Sequence, residues 1–362
     1  MKILEIIHGL PSGGAERFVV DLSNELVKAN EVELLTLKDD TRNGMGFYLS
    51  DLSTEVRYHN MKFQDSFHFR YLWEVYKYIR KSKPDIVHIH IVAEYCFLPL
   101  LLMCRNIKFF QTVHIDIAKA FKGVKRKIIL YTFGLFHKLE YVTISRTNYA
   151  DMCSKYGFCR NTLIYNGRAP MVKTDSFLHV QAEVNSLKNN RSTKVFLHIA
   201  RCDHQKNQEL LIRSFNGIVS KGANAILLVI GAGFHETNLG RYLMEIACSS
   251  VFFLGTRNNV EDYYYCSDVF CLSSLYEGMP ITAIEAILCK IPVISTPVCG
   301  VVDVIENGKN GLIADDFSEE AYEKCMMACL ENKDGFSELR YSCIDLSIAN
   351  CATNYLKLFE NR

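Results

Sequence analysis

Glu277 and Glu285 stand eight residues apart in the stretch YEGMPITAIEA. Gly278 frees the backbone there, and Pro280 suits the first turn of a helix. Ile281, Ile284 and Leu288 recur at helical spacing, so a helix is expected from about Pro280 to Lys290. Glu277 then falls on the loop before it and Glu285 on the helix itself. A helix start beside a glycine offers backbone N–H groups to a phosphate. Carboxylates repel a phosphate and suit hydroxyl groups instead, such as those of a sugar or a ribose. The pair therefore points to a nucleotide-sugar site. A plain surface helix with two acidic residues is the competing reading at this stage.

Other residues narrow the choice. Arg201 and Lys206 follow a predicted strand, Val195 to Ala200, where open α/β sheets bind ligands. Two cations there suit a diphosphate. Gly231-Ala232-Gly233 follows the apolar run Ala225 to Ile230 and resembles the start of a dinucleotide fingerprint. Glu236 occupies the place of the third glycine, so the reading is close backbone approach to a nucleotide without hydride chemistry. Ser12-Gly13-Gly14-Ala15-Glu16 joins a strand to a helix, and its N–H groups suit an anion or a sugar. His88 and His90 alternate on an apolar strand and read as core packing. With no matched ligand spacing and no D-x-D triplet, no metal is expected. Lys119, Lys122, Lys125, Arg126 and Lys127 precede the apolar run Ile128 to Phe136, a combination that can dock on an anionic membrane surface.

These residues need a frame. Short apolar runs alternate with helical patterns, which predicts an α/β fold with parallel sheets. Strands are expected at Lys2 to His8, Val32 to Leu37, Ile86 to Ile91, Phe109 to His114, Tyr141 to Ser145 and Thr162 to Tyr165. Helices are expected at Ala15 to Ala29 and Tyr71 to Ser82. Lys173 to Arg191 is polar and reads as a linker. The pattern then restarts, with strands at Val195 to Ala200, Ala225 to Ile230, Val251 to Leu254, Val269 to Leu272 and Pro292 to Ser295, and a helix at Asn207 to Val219. Two Rossmann-like domains are expected, 1–172 and 190–335, with a C-terminal helix at about 340–362 returning to the first.

Composition sets the broad class. The chain has 362 residues, 49% hydrophobic, which suits about two globular domains. Lys plus Arg against Asp plus Glu is 25 to 18 in residues 1–180 and 16 to 22 in residues 181–362. A basic first half and an acidic second half imply different partners. The near-zero total charge and the lack of a DNA- or RNA-binding motif argue against nucleic acid. The 14 cysteines show no paired spacing, which points to a reducing compartment. The apolar start is too short for a signal peptide, and the longest apolar run, Cys96 to Cys104, is about half a membrane span. A cytoplasmic protein is expected, with peripheral contact at the inner face of the membrane through Lys119 to Phe136.

In this order and spacing, the pieces resemble the retaining nucleotide-sugar glycosyltransferases of family 4, with the GT-B fold. The first half carries Gly13-Gly14-Ala15-Glu16, PDIVHIH at Pro84 to His90, TVH at Thr112 to His114, and LIYNG ending at Gly167. The second carries Arg201 with Lys206, Gly231-Ala-Gly233, SSLYEGMPITAIEA, and PVISTPVCGVVDVIENGKNGLI. The resemblance implies two Rossmann-like domains facing each other across a cleft, the second holding the donor. It assigns Arg201 and Lys206 to the donor diphosphate and the leaving group. Glu285 is assigned to the ribose hydroxyls and Glu277 to the transferred sugar. The N–H groups of Gly278, Met279, Ile281 and Thr282 fall at the distal phosphate, where Pro280 has none to give. His114 is the implied active-site histidine, and Gly13 and Gly14 let the first domain approach the donor. Such enzymes need no metal or other cofactor.

Two positions depart from the pattern: Asp303 replaces the usual Glu after the glycines, and Cys299 replaces one glycine of the usual pair. Both fall where the donor sugar is contacted. The implied partners are a nucleotide-sugar donor, UDP-linked by the resemblance, and a glycan or lipid-linked acceptor in cell-surface polysaccharide assembly (capsule or lipopolysaccharide). Aromatic residues of the first half, including Phe63, Tyr71, Trp73, Tyr95 and Phe121, suit such an acceptor. Two rivals share the frame, a GT-B nucleotide-sugar epimerase and a non-catalytic nucleotide-sugar-binding protein. Donor turnover without acceptor marks the first, and tight nucleotide binding without turnover marks the second.

Overall fold

The computed structural model describes residues 1–42, 44–64, 69–91, 104, 106–117, 139–157, 160–331 and 344–361. The basic and apolar segment Lys119 to Phe136 lies outside them, as do the run Cys96 to Cys104 apart from Cys104 and the aromatic residues Tyr95 and Phe121. The chain divides into two compact units, residues 1–169 with 346–362, and residues 170–345.

The first unit is built on seven parallel strands: β1 (Lys2–Ile7), β2 (Glu31–Lys38), β3 (Arg57–Phe63), β4 (Ile86–His90), β5 (Lys108–Val113), β6 (Leu139–Thr143) and β7 (Arg160–Leu163), in the order β3-β2-β1-β4-β5-β6-β7. Its described helices are α1 (Gly14–Leu26), α2 (Phe69–Ser82), α3 (Arg146–Tyr156) and, from the far end of the sequence, α11 (Ile348–Glu360). A parallel sheet is covered on both faces, which is why its central strands are almost wholly apolar. Leu4, Ile6, Val87, Ile89 and Phe109 share one core cluster. α11 packs on α1 and buries Tyr355 and Phe359 completely. Burying such a ring contributes about 1.5–3 kcal/mol.

The second unit repeats the plan with six parallel strands: β8 (Lys194–Ile199), β9 (Ala225–Ile230), β10 (Val251–Gly255), β11 (Val269–Leu272), β12 (Val293–Ser295) and β13 (Gly311–Ile313), in the order β10-β9-β8-β11-β12-β13. Its described helices are α4 (Phe177–Leu187), α5 (Gln208–Ser220), α6 (Asn238–Ile246), α7 (Val260–Tyr265), α8 (Ile281–Leu288), α9 (Val301–Val304) and α10 (Glu319–Glu331). In each unit the strand order reverses beside the first strand, between β1 and β4 and between β8 and β11. Ligands of doubly wound sheets bind beyond the carboxyl ends of the strands at that reversal.

Three expectations change. The polar stretch from Lys173 to Arg191 contains a helix, α4, which buries Val180 and Val184 one turn apart. β3 is an added edge strand, too polar and too exposed to read as one. The helix after Glu277 starts one residue later than expected, because Pro280 keeps extended backbone at the N-cap (ψ 118°). No helix among the described residues is long and apolar enough to cross a membrane.

Candidate active site

In the second unit the chain leaves β8 and reaches Arg201. Asp203 caps the short turn His204–Lys206, its side chain accepting the Gln205 N–H at 2.8 Å. Asn207 takes the left-handed conformation (φ 49°), which asparagine tolerates, and α5 begins. Four hydrogen bonds lace this loop. The side-chain amide of Gln208 donates to the Arg201 carbonyl at 2.8 Å, and that of Gln205 donates to the Tyr276 carbonyl at 2.9 Å. The Leu275 N–H donates to the Gln205 carbonyl at 2.8 Å, and the Ser273 hydroxyl to the Lys206 carbonyl at 2.8 Å. The loop carrying the two cations and the loop carrying Glu277 are thus held as one piece.

Lys206 Nζ donates to Glu277 Oε1 at 2.7 Å, and Ser274 Oγ donates to the same oxygen at 2.7 Å. Glu277 is buried. Arg201 stays largely exposed and pairs with Asp203 at 3.3 Å. Glu285, also buried, accepts from Tyr264 Oη at 3.0 Å. Helical bonding in α8 begins at Ala283, whose N–H donates to the Pro280 carbonyl at 3.2 Å. The N–H groups of Ile281 and Thr282 therefore fall outside the helix's own bonds, while Gly278 and Met279 precede the N-cap.

Glycine matters at three positions here. A Cβ on Gly231 would lie 2.0 Å from the Ala200 carbonyl oxygen. The close approach at this position is therefore to the backbone leading into Arg201. Gly233 likewise faces Cys202, whose Cβ would be 3.2 Å away. Gly300 has φ +74°, and its Cβ would meet the Gly278 carbonyl at 2.2 Å. Of the usual glycine pair, Gly300 is retained where a side chain would collide, and Cys299 stands at the other position.

In the first unit, Gly13 is the extended N-cap of α1 and Gly14 its first residue, just beyond β1. His114 follows β5. His90 Nδ1 lies 2.9 Å from His114 Nε2, and His90 Nε2 lies 2.7 Å from Glu5 Oε2. His88 Nδ1 is 3.0 Å from the same Glu5 oxygen, and its Nε2 is 2.8 Å from Thr112 Oγ1, which meets Tyr355 Oη of α11 at 2.8 Å. His88 and His90 are core residues, as expected, and they are also tied into a polar chain. Two ligands of a tetrahedral zinc would keep about 3.3 Å between them. The shorter spacings around Glu5 are those of hydrogen bonds.

Burial pushes the Glu5 carboxyl up, but His88 and His90 outweigh it and hold it at about 2. Burial, then the repulsion that two protonated rings would feel beside His88, brings His90 down to about 4. Burial, then His90 and His88, holds His114 well below the ordinary histidine value. In the second unit, burial brings His198 to about 4, although its Nδ1 bonds the Cys271 carbonyl at 2.9 Å. Buried neutral histidines bind protons in the unfolded chain first. Stability is therefore complete above about pH 6.5 and falls as the pH drops toward 4, by up to about 3 kcal/mol per isolated histidine. Glu5 adds a loss in the same direction at lower pH, from its ordinary range down toward 2. Urea unfolding followed from neutral pH to about pH 4.5 should show a steadily falling midpoint; a flat profile would contradict the buried neutral imidazoles.

Of the predicted site residues, Arg201, Lys206, Glu277, Gly278 and the start of α8 come together in the second unit. Gly13, Gly14 and His114 belong to the first, at the carboxyl ends of β1 and β5. Sequence reasoning missed Gln208, Ser274, Tyr264 and Glu5. Glu5 carried a signal: an acid in the middle of the otherwise apolar run Ile3 to Ile7.

Residues 180–345 match the family model described as Glycosyl transferases group 1, and residues 12–170 the one described as Glycosyltransferase Family 4. The chain is 26% identical over 383 residues to the GalNAc-alpha-(1->4)-GalNAc-alpha-(1->3)-diNAcBac-PP-undecaprenol alpha-1,4-N-acetyl-D-galactosaminyltransferase of Campylobacter jejuni, covering 99% of this chain and 98% of that protein. It is 26% identical over 335 residues to the amylovoran biosynthesis glycosyltransferase AmsD of Erwinia amylovora, covering 89% and 88%. Among solved structures, Anabaena Alr3699/HepE in complex with UDP and glucose is similar in fold, with a TM-score of 0.82 at 14% identity over the whole of both chains.

Proposed function

We propose, on the premise that this chain belongs to the glycosyltransferases of group 1 and family 4, that it moves a sugar from a UDP-sugar to a hydroxyl of a lipid-linked or growing surface glycan, retaining the sugar's anomeric configuration. The observation that carries the donor assignment is the Lys206–Glu277 pair at the strand reversal of the second unit. A diphosphate competes with Glu277 for Lys206. Once Lys206 turns to the phosphate, the Glu277 carboxylate is released for a sugar hydroxyl, with Ser274 still steadying it. One event thus binds the leaving group and exposes the sugar's partner.

The chemistry follows from the charges. The bond between the sugar C1 and the phosphate oxygen breaks, and its electron pair stays on the phosphate. Arg201, Lys206 and the N–H groups at the start of α8 stabilise that growing charge. The acceptor hydroxyl oxygen bonds to C1 on the same face, and its proton passes to the departing phosphate. We assign Glu285 to the ribose hydroxyls, His114 to sugar or acceptor hydroxyls, and no metal to the reaction, since the two cations supply the positive charge. The acceptor class is carried over from relatives whose names specify a PP-undecaprenol glycan and amylovoran biosynthesis. Contact of Lys119 to Phe136 with an anionic membrane is part of the same proposal.

The test is a thermal-shift and hydrolysis screen of the purified protein against UDP-, GDP- and ADP-sugars, with Glu285→Ala in parallel. A UDP-sugar at a hundredfold excess over its Kd should stabilise the protein by about 2.7 kcal/mol. That gain should vanish in Glu285→Ala. No stabilisation by any of the three would sink the donor site.

A further inference from the structure

The polar chain in the first unit has a direction. An ionised carboxylate only accepts hydrogen bonds. Glu5 lies between two imidazoles, so both must donate to it: His88 through Nδ1–H and His90 through Nε2–H. A neutral imidazole carries one proton. His90 Nδ1 is therefore an acceptor, and the His114 nitrogen 2.9 Å away, Nε2, must be the one that carries hydrogen. On the other arm His88 Nε2 bonds Thr112, and Thr112 bonds Tyr355. On the His90 arm every bond points toward Glu5.

This leaves one atom over. His114 Nδ1 is shielded from solvent and has no hydrogen-bond partner among the described residues, although the residue as a whole is only half-buried. A buried acceptor without a donor carries an uncompensated desolvation cost. Phe18 of α1 packs its ring against both His90 and His114, at centroid distances of 6.2 and 5.6 Å, which restrains the imidazole planes. We infer that Glu5 and His90 are positioning residues that hold His114 in its Nε2–H form, so that its Nδ1 lone pair accepts a hydrogen bond from a hydroxyl of the sugar or the acceptor. The low proton affinity of His90 and His114 supports the neutral forms that this chain requires. The ligand named here rests on the proposed function. The tautomer does not.

The experiment therefore separates them. In the full-length protein with nitrogen-15-labelled histidines and no ligand, long-range proton–nitrogen correlation should show His114 protonated on Nε2 and bare on Nδ1. Glu5→Gln keeps the shape but can donate an amide N–H to His90 Nε2. That reverses the chain, and His114 should then show protonation on Nδ1, alone or in exchange. UDP affinity, a property of the second unit, should stay within about twofold of wild type. Turnover of the UDP-sugar should fall about tenfold or more in kcat, the cost of one misdirected hydrogen bond. A wild-type His114 protonated on Nδ1 would overturn the inference without any variant, and so would a tautomer unchanged in Glu5→Gln. If the wild-type protein binds no UDP, the donor reading fails on that titration, and the spectrum still decides whether Glu5 and His90 set the tautomer.

Discussion

Replacing Lys206 with alanine is expected to lower kcat/KM for the UDP-sugar by about 10²- to 10³-fold, the usual loss when one preorganised partner of a developing oxyanion is removed. Two features of the site favour the upper end. Lys206 is held at its own backbone, its carbonyl accepting from the Ser273 hydroxyl and its N–H donating to the Asp203 carbonyl, so its ammonium is preorganised. Arg201 is largely exposed and paired with Asp203, so it is the more screened of the two. The substitution also leaves the buried Glu277 carboxylate with Ser274 but no cation, which weakens its hold on a sugar hydroxyl. Lys206→Arg should recover part of the activity, because it restores the charge with a wider, forked geometry. Steady-state kinetics of the three proteins provide the measurement. An alanine variant within about threefold of wild type would remove Lys206 from the mechanism.

Arg168→Ala is expected to cost about 3 kcal/mol of stability, read as a fall in the urea midpoint at unchanged slope. Arg168 Nη1 donates to Asp21 Oδ2 at 2.7 Å, and both side chains are 2% exposed. The same oxygen accepts the Ala169 N–H at 3.2 Å. Removing the guanidinium strands a carboxylate inside the unit. The loss stays at the lower end of the usual 3–5 kcal/mol because Arg17 Nη2 still reaches the other Asp21 oxygen at 3.1 Å. Arg168→Lys should rescue little, since a single ammonium reproduces neither the reach nor the fork. A change below about 1 kcal/mol would mean that the buried pair contributes almost nothing beyond its desolvation cost.

The placement of Glu277 and Glu285 was legible because its signals are local. Glycine, proline and an apolar period lie within a dozen residues around Glu277 and Glu285, and they place one carboxylate on a loop and the other on a helix. The error at Pro280 came from a residue that can serve as N-cap or as first helical residue with the same φ. α4 was hidden because only two valines of its eleven residues are buried, too few to stand out from a polar background. β3 was hidden because an edge strand needs little apolar surface. The crowding at Gly231 was not legible for a different reason. A glycine shows that something comes close, and only the fold shows that it is the Ala200 carbonyl. The histidine network was the least legible, since Glu5 and His90 are 85 residues apart and meet only because β1 and β4 are neighbours in the sheet.

The last helix of the first unit has a consequence for how the protein is made. Tyr355 closes the polar chain through Thr112, and Phe359 lies 5.6 Å from the His88 ring, yet both are separated from β7 by the whole of residues 170–345. A ribosome therefore finishes the second unit before the first is complete. Until residues 348–360 emerge, the nascent first unit carries all seven strands with α1 and the buried histidines uncovered, which calls for chaperone shielding. A premature stop a few codons before the end of α11 would leave the Lys206 and Glu277 loops intact and still remove part of the cover over the first unit's core.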